Sequence, residues 1–562
     1  ITVHFQSSWI SRWRAVTVKI DSFWHGNFWT GDPQKPQART LAVQRGRIVA
    51  VDDVDGLTAN REYDLGDDLV IPGLHDAHHH TTAVGEQLAM IDLRYPNVTT
   101  LDGLYEAIRE RASQLPGDAW VKAAGYDQNR LGGHPTAEGL DQAGGGRPVL
   151  VEHVSHHMVA ASTRAFEMAG YPRRENFPDI DGGRVIRDEH GLPAGLLQEN
   201  AGGPIRLAAA KVSKEESLEH LRLASEQSVA YGLTSLTEPG IVIGGALGIN
   251  APILDAYQTA VESGVLKPRM TIMPFHHVLH ELDLNSEGLQ TLDMGVRTGF
   301  GDDRLRLGPV KIISDGSLIG RSAAVHDCFC AEPDNRGVMV VDPADLSALV
   351  PAYDRAGWSV AIHAIGDRAI DHSLDAIERA RRDNVSTRRH RIEHFAIATQ
   401  EQVDRAARLE VVPVPQGVFI SEFGDGILES LGAQRAAGTY RMRSLLDAGI
   451  TVPGSTDAPV SDANPFVCLR DLIIRKTSSG ADFGAQERVA VSEAVSAYTH
   501  GSAYAVGQER ERGTLERGKL ADFVRLSDDI FQVASDRIGD IEATATVIGG
   551  ALAFNTDDVT TR

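Results

Sequence analysis

Four histidines within six positions, at the end of an apolar run, constrain this chain more than any other feature. Residues 71–80 read IPGLHDAHHH, and a β-prone stretch ending in Leu69, Val70 and Ile71 feeds through Pro72-Gly73 into them. On a strand alternate side chains share a face, so His78 and His80 point the same way. Two imidazoles on one face at a strand end make a bidentate site for a borderline-soft divalent metal. A surface cluster or an affinity-tag fragment is the bland alternative, but a tag sits at a terminus and follows no buried-strand pattern.

A chain of 562 residues is too long for one core and implies two or three structural units. With 42% hydrophobic and 23% charged residues it has the composition of a globular protein. A formal net charge of −22 argues against nucleic acid as a partner. No apolar run approaches the ~20 residues that cross a bilayer, so no membrane partner is expected. Cys328, Cys330 and Cys468 are too few for a disulfide framework and read as free thiols in a reducing compartment, the cytoplasm. The opening residues lack the apolar core and cleavage site of a secretory signal and read as a disordered leader or a cloning remnant.

From residue 15 to about 69 the text alternates apolar and polar residues with Gly and Asp at turns, and the same texture returns in GTLERGKLADFVRL and ATATVIGGALAFN. The expectation is one composite β-sandwich from residues 15–68 and 512–555, with a larger unit, 69–511, between its halves. That unit alternates helices and strands, the pattern of a parallel α/β architecture. Strand-like segments at 69–80, 232–238, 269–275, 307–315, 358–363, 390–395, 411–416 and 451–457 number eight, as a TIM-like (β/α)₈ barrel requires. Residues 212–231 are patterned as a helix, and the excursion from about 83 to 211 reads as an inserted subdomain capping the barrel mouth.

Barrel enzymes place their chemistry at the C-terminal ends of the strands. Lys311 lies in VKIISDGS, His363 ends WSVAIH, His394 ends HRIEHF and Asp457 ends GITVPGSTD. Each alone has a structural explanation. Their falling on one edge together with His78 and His80 points to a metal site.

His78-x-His80, Lys311, His363, His394 and Asp457, in that order, resemble the amidohydrolase superfamily of metal-dependent hydrolases. The phrases PGLHDAHHH, GYDQNRLGGHPT, GGRVIRDEHGLPAGLLQEN, VKIISDGSLIGRSA, HAIGDRA, RIEHF, GSTDAPV and YTHGSAYAVG resemble its YtcJ-like branch, which includes N-substituted formamide deformylase. The resemblance runs from about residue 17 to residue 555. It implies one or two divalent ions, zinc foremost. His78, His80 and Asp457 would hold one ion, and His363 and His394 a second, or complete the first site. Asp457 would also be the catalytic base, passing a proton from water to the leaving nitrogen. Lys311 sits where the superfamily carries a carbamylated lysine bridging two ions. An unmodified lysine that orients substrate or pairs with Asp315 is the alternative, and Glu199 is a rival bridging carboxylate. Asp127, Gln128 and His157 are the substrate-pocket candidates.

The text departs from the family pattern at His79, where a hydrophobic residue is usual, and alternation turns this side chain behind the strand. It departs again at Ser155-His156-His157, where Asp-Gly-His is usual. The implied reaction is hydrolysis of a C–N bond in an amide, N-acyl or N-formyl small molecule. Ring deamination is disfavoured because His363-Ala-Ile-Gly lacks the Glu of a His-x-x-Glu. Ester or lactone hydrolysis and a degenerate scaffold are the other readings, and a homodimer is the one protein assembly entertained.

Overall fold

The computed structural model describes residues 18–94, 96–153, 158–180, 183–210, 212–241, 254–282, 289–330, 332–384, 386–556 and 559–561. At its heart the strand Leu74–Asp76 pairs in parallel with Leu233–Ile241, which pairs with Arg269–Pro274 and that with Leu305–Leu307. A second parallel sheet runs through Val310–Ile313, Val360–Ala364, Arg391–His394 and Val412–Val414. All nine residues of Leu233–Ile241 and all four of Arg391–His394 are buried, as expected of parallel strands covered on both faces.

Among the described residues the two sheets meet at one bridge, Phe275 to Lys311. They do not make a single continuous ladder. On the far side residues 451–457 run beside the first strand without forming one: Ala77 N–H donates to Gly454 O (3.0 Å), Asp457 N–H to His78 O (2.8 Å) and His80 N–H to Ala458 O (2.9 Å). Pro453 has no N–H to give a ladder. Toward Val412–Val414 side chains substitute, with Gln416 Nε2 donating to Ser455 Oγ at 3.0 Å and that hydroxyl to Pro415 O at 3.1 Å. The stretch 307–315, expected as one strand, is likewise broken: Leu305–Leu307 ends before Gly308-Pro309, and Val310–Ile313 begins after it.

Helices follow the strands. Lys214–Ala230, expected from the pattern, starts on a capping box between Ser213 and Glu216. Asp367–Asp383 buries Ile370, Leu374 and Ile377 on one stripe against the shared core and turns its arginines outward.

Between Leu74–Asp76 and Leu233–Ile241 the chain makes a separate six-stranded sheet, in the order Gly183–Arg187, Pro193–Glu199, Met158–Ala161, Val149–His153, Val121–Tyr126, Ile91–Asp92. It has its own core around Leu104, Ile108, Val121, Tyr126 and Val149.

Strands from both chain ends join one eight-stranded sheet. The bent strand Leu57–Pro72 is its pivot, pairing with Val18–Trp29 on one side and with Phe523–Leu526 on the other. The sheet curls on itself, so that Arg47 bridges Leu520 and the rings of Trp24 and Phe28 stand 5.2 and 5.7 Å from Phe523.

Candidate metal centre

Asp76, the last residue of the first strand, ties the two segments of the site together. Its carboxylate accepts from His78 N–H (3.0 Å) and from the N–H and hydroxyl of Thr456 (3.2 and 2.5 Å). His78 and Asp457 are thereby set facing each other. His78 Nε2 and His80 Nε2 each lie 3.3 Å from Asp457 Oδ1. The three side chains are buried, and their donor atoms lie within 4.8 Å of one another. His394 continues the cluster with its ring 5.1 Å from that of His78, and His363 follows 4.5 Å from His394. Lys311, 3% exposed, stands on the adjoining strand.

Each imidazole has one nitrogen tied to the protein. His78 Nδ1 contacts Glu393, His80 Nδ1 lies 3.5 Å from Glu238 Oε1, His394 Nδ1 is 2.8 Å from Gln416 Oε1, and His363 Nε2 is 3.1 Å from Gly316 O. The Gln416 amide is oriented by its own donors, which go to Val414 O and Ser455, so its oxygen must face His394. A ring nitrogen facing an acceptor carries the proton, which leaves the other as a lone pair. The lone pairs therefore fall on Nε2 of His394 and Nδ1 of His363, whereas Nε2 of His78 and of His80 faces the Asp457 carboxylate. Against burial, Asp457 and Glu238 raise His80 to about 9, so a bound ion would take the place of its proton.

The electrostatics favour a cation. Burial would raise the Asp457 carboxyl, but His78 and His80 hold it well below the usual carboxylate range. Burial is likewise overcome at Glu393, where Arg391 and His78 keep the carboxylate ionised; Arg391 grips it at 2.6 and 2.8 Å and also donates to Ala77 O at 2.7 Å. Burial pushes His394 down to about 4 and His363 well below its ordinary value, so both rings are neutral at pH 7. Burial also lowers Lys311, to about 8, against the pull of Glu393 and Asp457. His394 and Asp457 hold φ of 68° and 64°, a left-handed backbone that non-glycine residues adopt at a cost and that concentrates at functional sites. Four imidazoles beside ionised carboxylates, away from solvent, fit a borderline divalent ion, which would replace the cationic charge now held at His80.

Other residues singled out from the sequence fall elsewhere. Asp127 accepts from Asn129 N–H (2.9 Å), and Gln128 pairs with His153 (2.5 Å), both contacts within the inserted unit. His157 and the side chain of Glu199 lie outside the described residues. His79 is buried with its ring on Thr81 (3.1 Å), not on Asp457. Asp315 is not a partner for Lys311: its oxygens accept from the N–H groups of Ala324, Ile365 and Gly366 at 2.9–3.0 Å. Sequence reasoning missed Glu238, Glu393 and Gln416. Glu393 carried one signal, an Arg-x-Glu on one face of a buried strand, where charge must be paired.

The amidohydrolase family profile matches residues 61–554. The chain is 29% identical to YtcJ of Bacillus subtilis (strain 168), an amidohydrolase by name, over 95% of this chain and 99% of that one. It is 26% identical to the N-substituted formamide deformylase of Arthrobacter pascens over 94% of this chain and 97% of that one. Among solved structures, an uncharacterized metal-dependent hydrolase from Pyrococcus furiosus superposes with a TM-score of 0.74 at 26% identity, covering 91% of this chain and all of the other. The chain belongs to the amidohydrolase family.

Proposed function

We propose that this protein hydrolyses a C–N bond in an amide, N-acyl or N-formyl small molecule, using a divalent ion, zinc foremost, held by His78, His80 and Asp457. The observation that carries the reading is the convergence of the His78 and His80 ring nitrogens on an ionised, buried carboxylate at the ends of parallel strands. His363 and His394 would hold a second ion or complete the first site, and Lys311 as a carbamate would bridge the two. In this reading the two parallel sheets and the segment 451–457 together make a (β/α)₈ barrel, with the inserted unit over its mouth and the sheet of the chain ends as a separate domain. The C–N class is supported by likeness to the formamide deformylase and by the lack of a Glu three residues after His363.

A divalent ion bound there supplies Lewis acidity, lowering the pKa of water and polarising a carbonyl. Asp457 does the proton work. Both of its imidazole contacts fall on Oδ1, so Oδ2 is the atom to take a proton from the attacking water. As the water oxygen bonds to the carbonyl carbon and the C–N bond breaks, Asp457 returns that proton to the leaving nitrogen, giving a carboxylic acid and an amine. Glu393 and Glu238 hold the imidazoles of His78 and His80 in place throughout.

The test is a screen of purified protein, with metal content measured, against N-formyl amines, N-acyl amino acids and the matching esters. Amide turnover that falls by about 10²-fold or more in Asp457→Asn is expected. Ester turnover with no amide turnover would remove the C–N assignment, and full activity without bound metal would remove the whole reading.

A further inference from the structure

A cavity of about 390 Å³ opens at the end of the parallel strands opposite the histidines. Pro309, Ser359 and Arg389 line it, and each precedes a strand, whereas His363 and His394 stand at or near the far ends of two of those strands. From Arg389 to His394 the chain covers roughly 16 Å of extended backbone, so the cavity is not part of the metal centre.

Its charged lining is Arg306, Arg389, Arg510 and Glu509. Arg389 is matched: it donates to Glu509 at 2.9 and 2.6 Å and lies 3.7 Å over the Tyr504 ring. The side chains of Arg306 and Arg510 have no hydrogen bond or ion pair among the described residues. Close by, Arg512 is 4% exposed, donates to the Ser235 hydroxyl and leaves its Nε without a partner. Arg269, in contrast, is matched by Asp522 and Asp303. Burial pushes the Arg306 guanidinium down against the pull of Glu511, and burial followed by repulsion from Arg269 pushes Arg512 to about 9 against Asp522 and Asp303. The lining itself thus sets three arginines against one glutamate, in a protein whose net charge is −22.

A half-buried guanidinium without a hydrogen-bonded partner is unfavourable, and an anion in contact with it relieves it. The planar fork of Arg suits two-oxygen groups, and the hydroxyls of Ser359 and Thr387 add donors to the same wall. We propose that this cavity is a binding site for a small oxyanion, a phosphate or carboxylate group taken by Arg306 and Arg510. The site is independent of the metal centre and of the proposed reaction.

The experiment measures melting temperature and equilibrium dialysis of the metal-loaded protein with inorganic phosphate and, separately, succinate, against chloride at equal ionic strength. A saturable rise in melting temperature with one of the two oxyanions, absent with chloride, is expected, because a ligand that binds only the native state stabilises it. Which of the two acts identifies the group. The effect should vanish in Arg306→Gln and weaken at least several-fold in Arg510→Gln, with metal content unchanged in both. Arg510 is exposed, so its substitution tests the site even if Arg306→Gln folds poorly. No saturable effect of either oxyanion, or an effect that persists undiminished in Arg510→Gln, would overturn the proposal; the latter would place the anion at the metal.

Discussion

Glu393 meets Nδ1 of His78 across 315 positions of sequence, and both side chains are buried. A carboxylate behind a metal-facing imidazole fixes its tautomer and raises its basicity. The backing is uneven around this site. His78 and His80 stand before Glu393 and Glu238, whereas His394 has the neutral amide of Gln416 and His363 a backbone carbonyl.

The first prediction follows from that unevenness. Glu393→Gln and Glu238→Gln should each weaken metal affinity by about 10- to 100-fold, measured by competition with a chelator. Gln in place of Glu238 can still accept from Thr81 N–H and Tyr257 OH, which Glu238 binds at 2.8 and 2.7 Å, so loss of fold is not the expected outcome there. Gln416→Glu should tighten whatever ion His394 holds. Affinities unchanged in all three variants would show that these groups do not tune the metal.

The separation in sequence also explains what could be read beforehand. His78, His80, His363, His394 and Asp457 were legible because strand alternation and strand ends are local patterns. Glu393, Glu238 and Gln416 act through other residues, on partners supplied by distant strands whose register no local pattern encodes. Regular strands were over-read at two places for one reason: Gly308-Pro309 and Pro453-Gly454 lie inside apolar runs, and proline withholds the N–H a ladder needs.

The sheet of the two chain ends gives a second prediction. Phe523 is fully buried between Trp24 and Phe28, so its ring joins residues from opposite ends of the chain. Phe523→Ala should destabilise by about 3–5 kcal/mol, read as a lower denaturant midpoint. A loss of less than about 1 kcal/mol would mean that the two ends do not share a core on which stability depends.

Acid stability gives a third. Burial would raise Asp354, but the His390 ring 3.4 Å away and hydrogen bonds from Ser386 and Asn384 override it and lower the carboxyl to about 2. A group with a depressed folded pKa stabilises above its unfolded value, near 4, and loses that contribution as pH falls toward 2. Asp354→Asn should therefore cost about 1–2 kcal/mol at pH 7 and progressively less between pH 4 and pH 2. An equal deficit at both ends of that window would assign the effect to packing and not to charge.

Lys311 carries the riskiest prediction. The charges acting on its amine are Glu393, Asp457 and Glu238 as anions and Arg391 as a cation, a balance of −2 that matches a single divalent ion. A second ion needs further negative charge, and an ammonium at Lys311 would supply the opposite. Burial lowers this amine to about 8, so roughly a tenth of it is neutral at pH 7 and able to attack CO₂. The nitrogen–carbon bond forms, a proton leaves, and the cation becomes an anion able to bridge two ions. Lys311→Ala should then lose the second ion and most activity, and short-chain carboxylic acids should restore part of both by placing a free carboxylate in the gap. Clear density for a bare ammonium beside one fully occupied metal would decide against the carbamate, and so would two ions retained in Lys311→Ala.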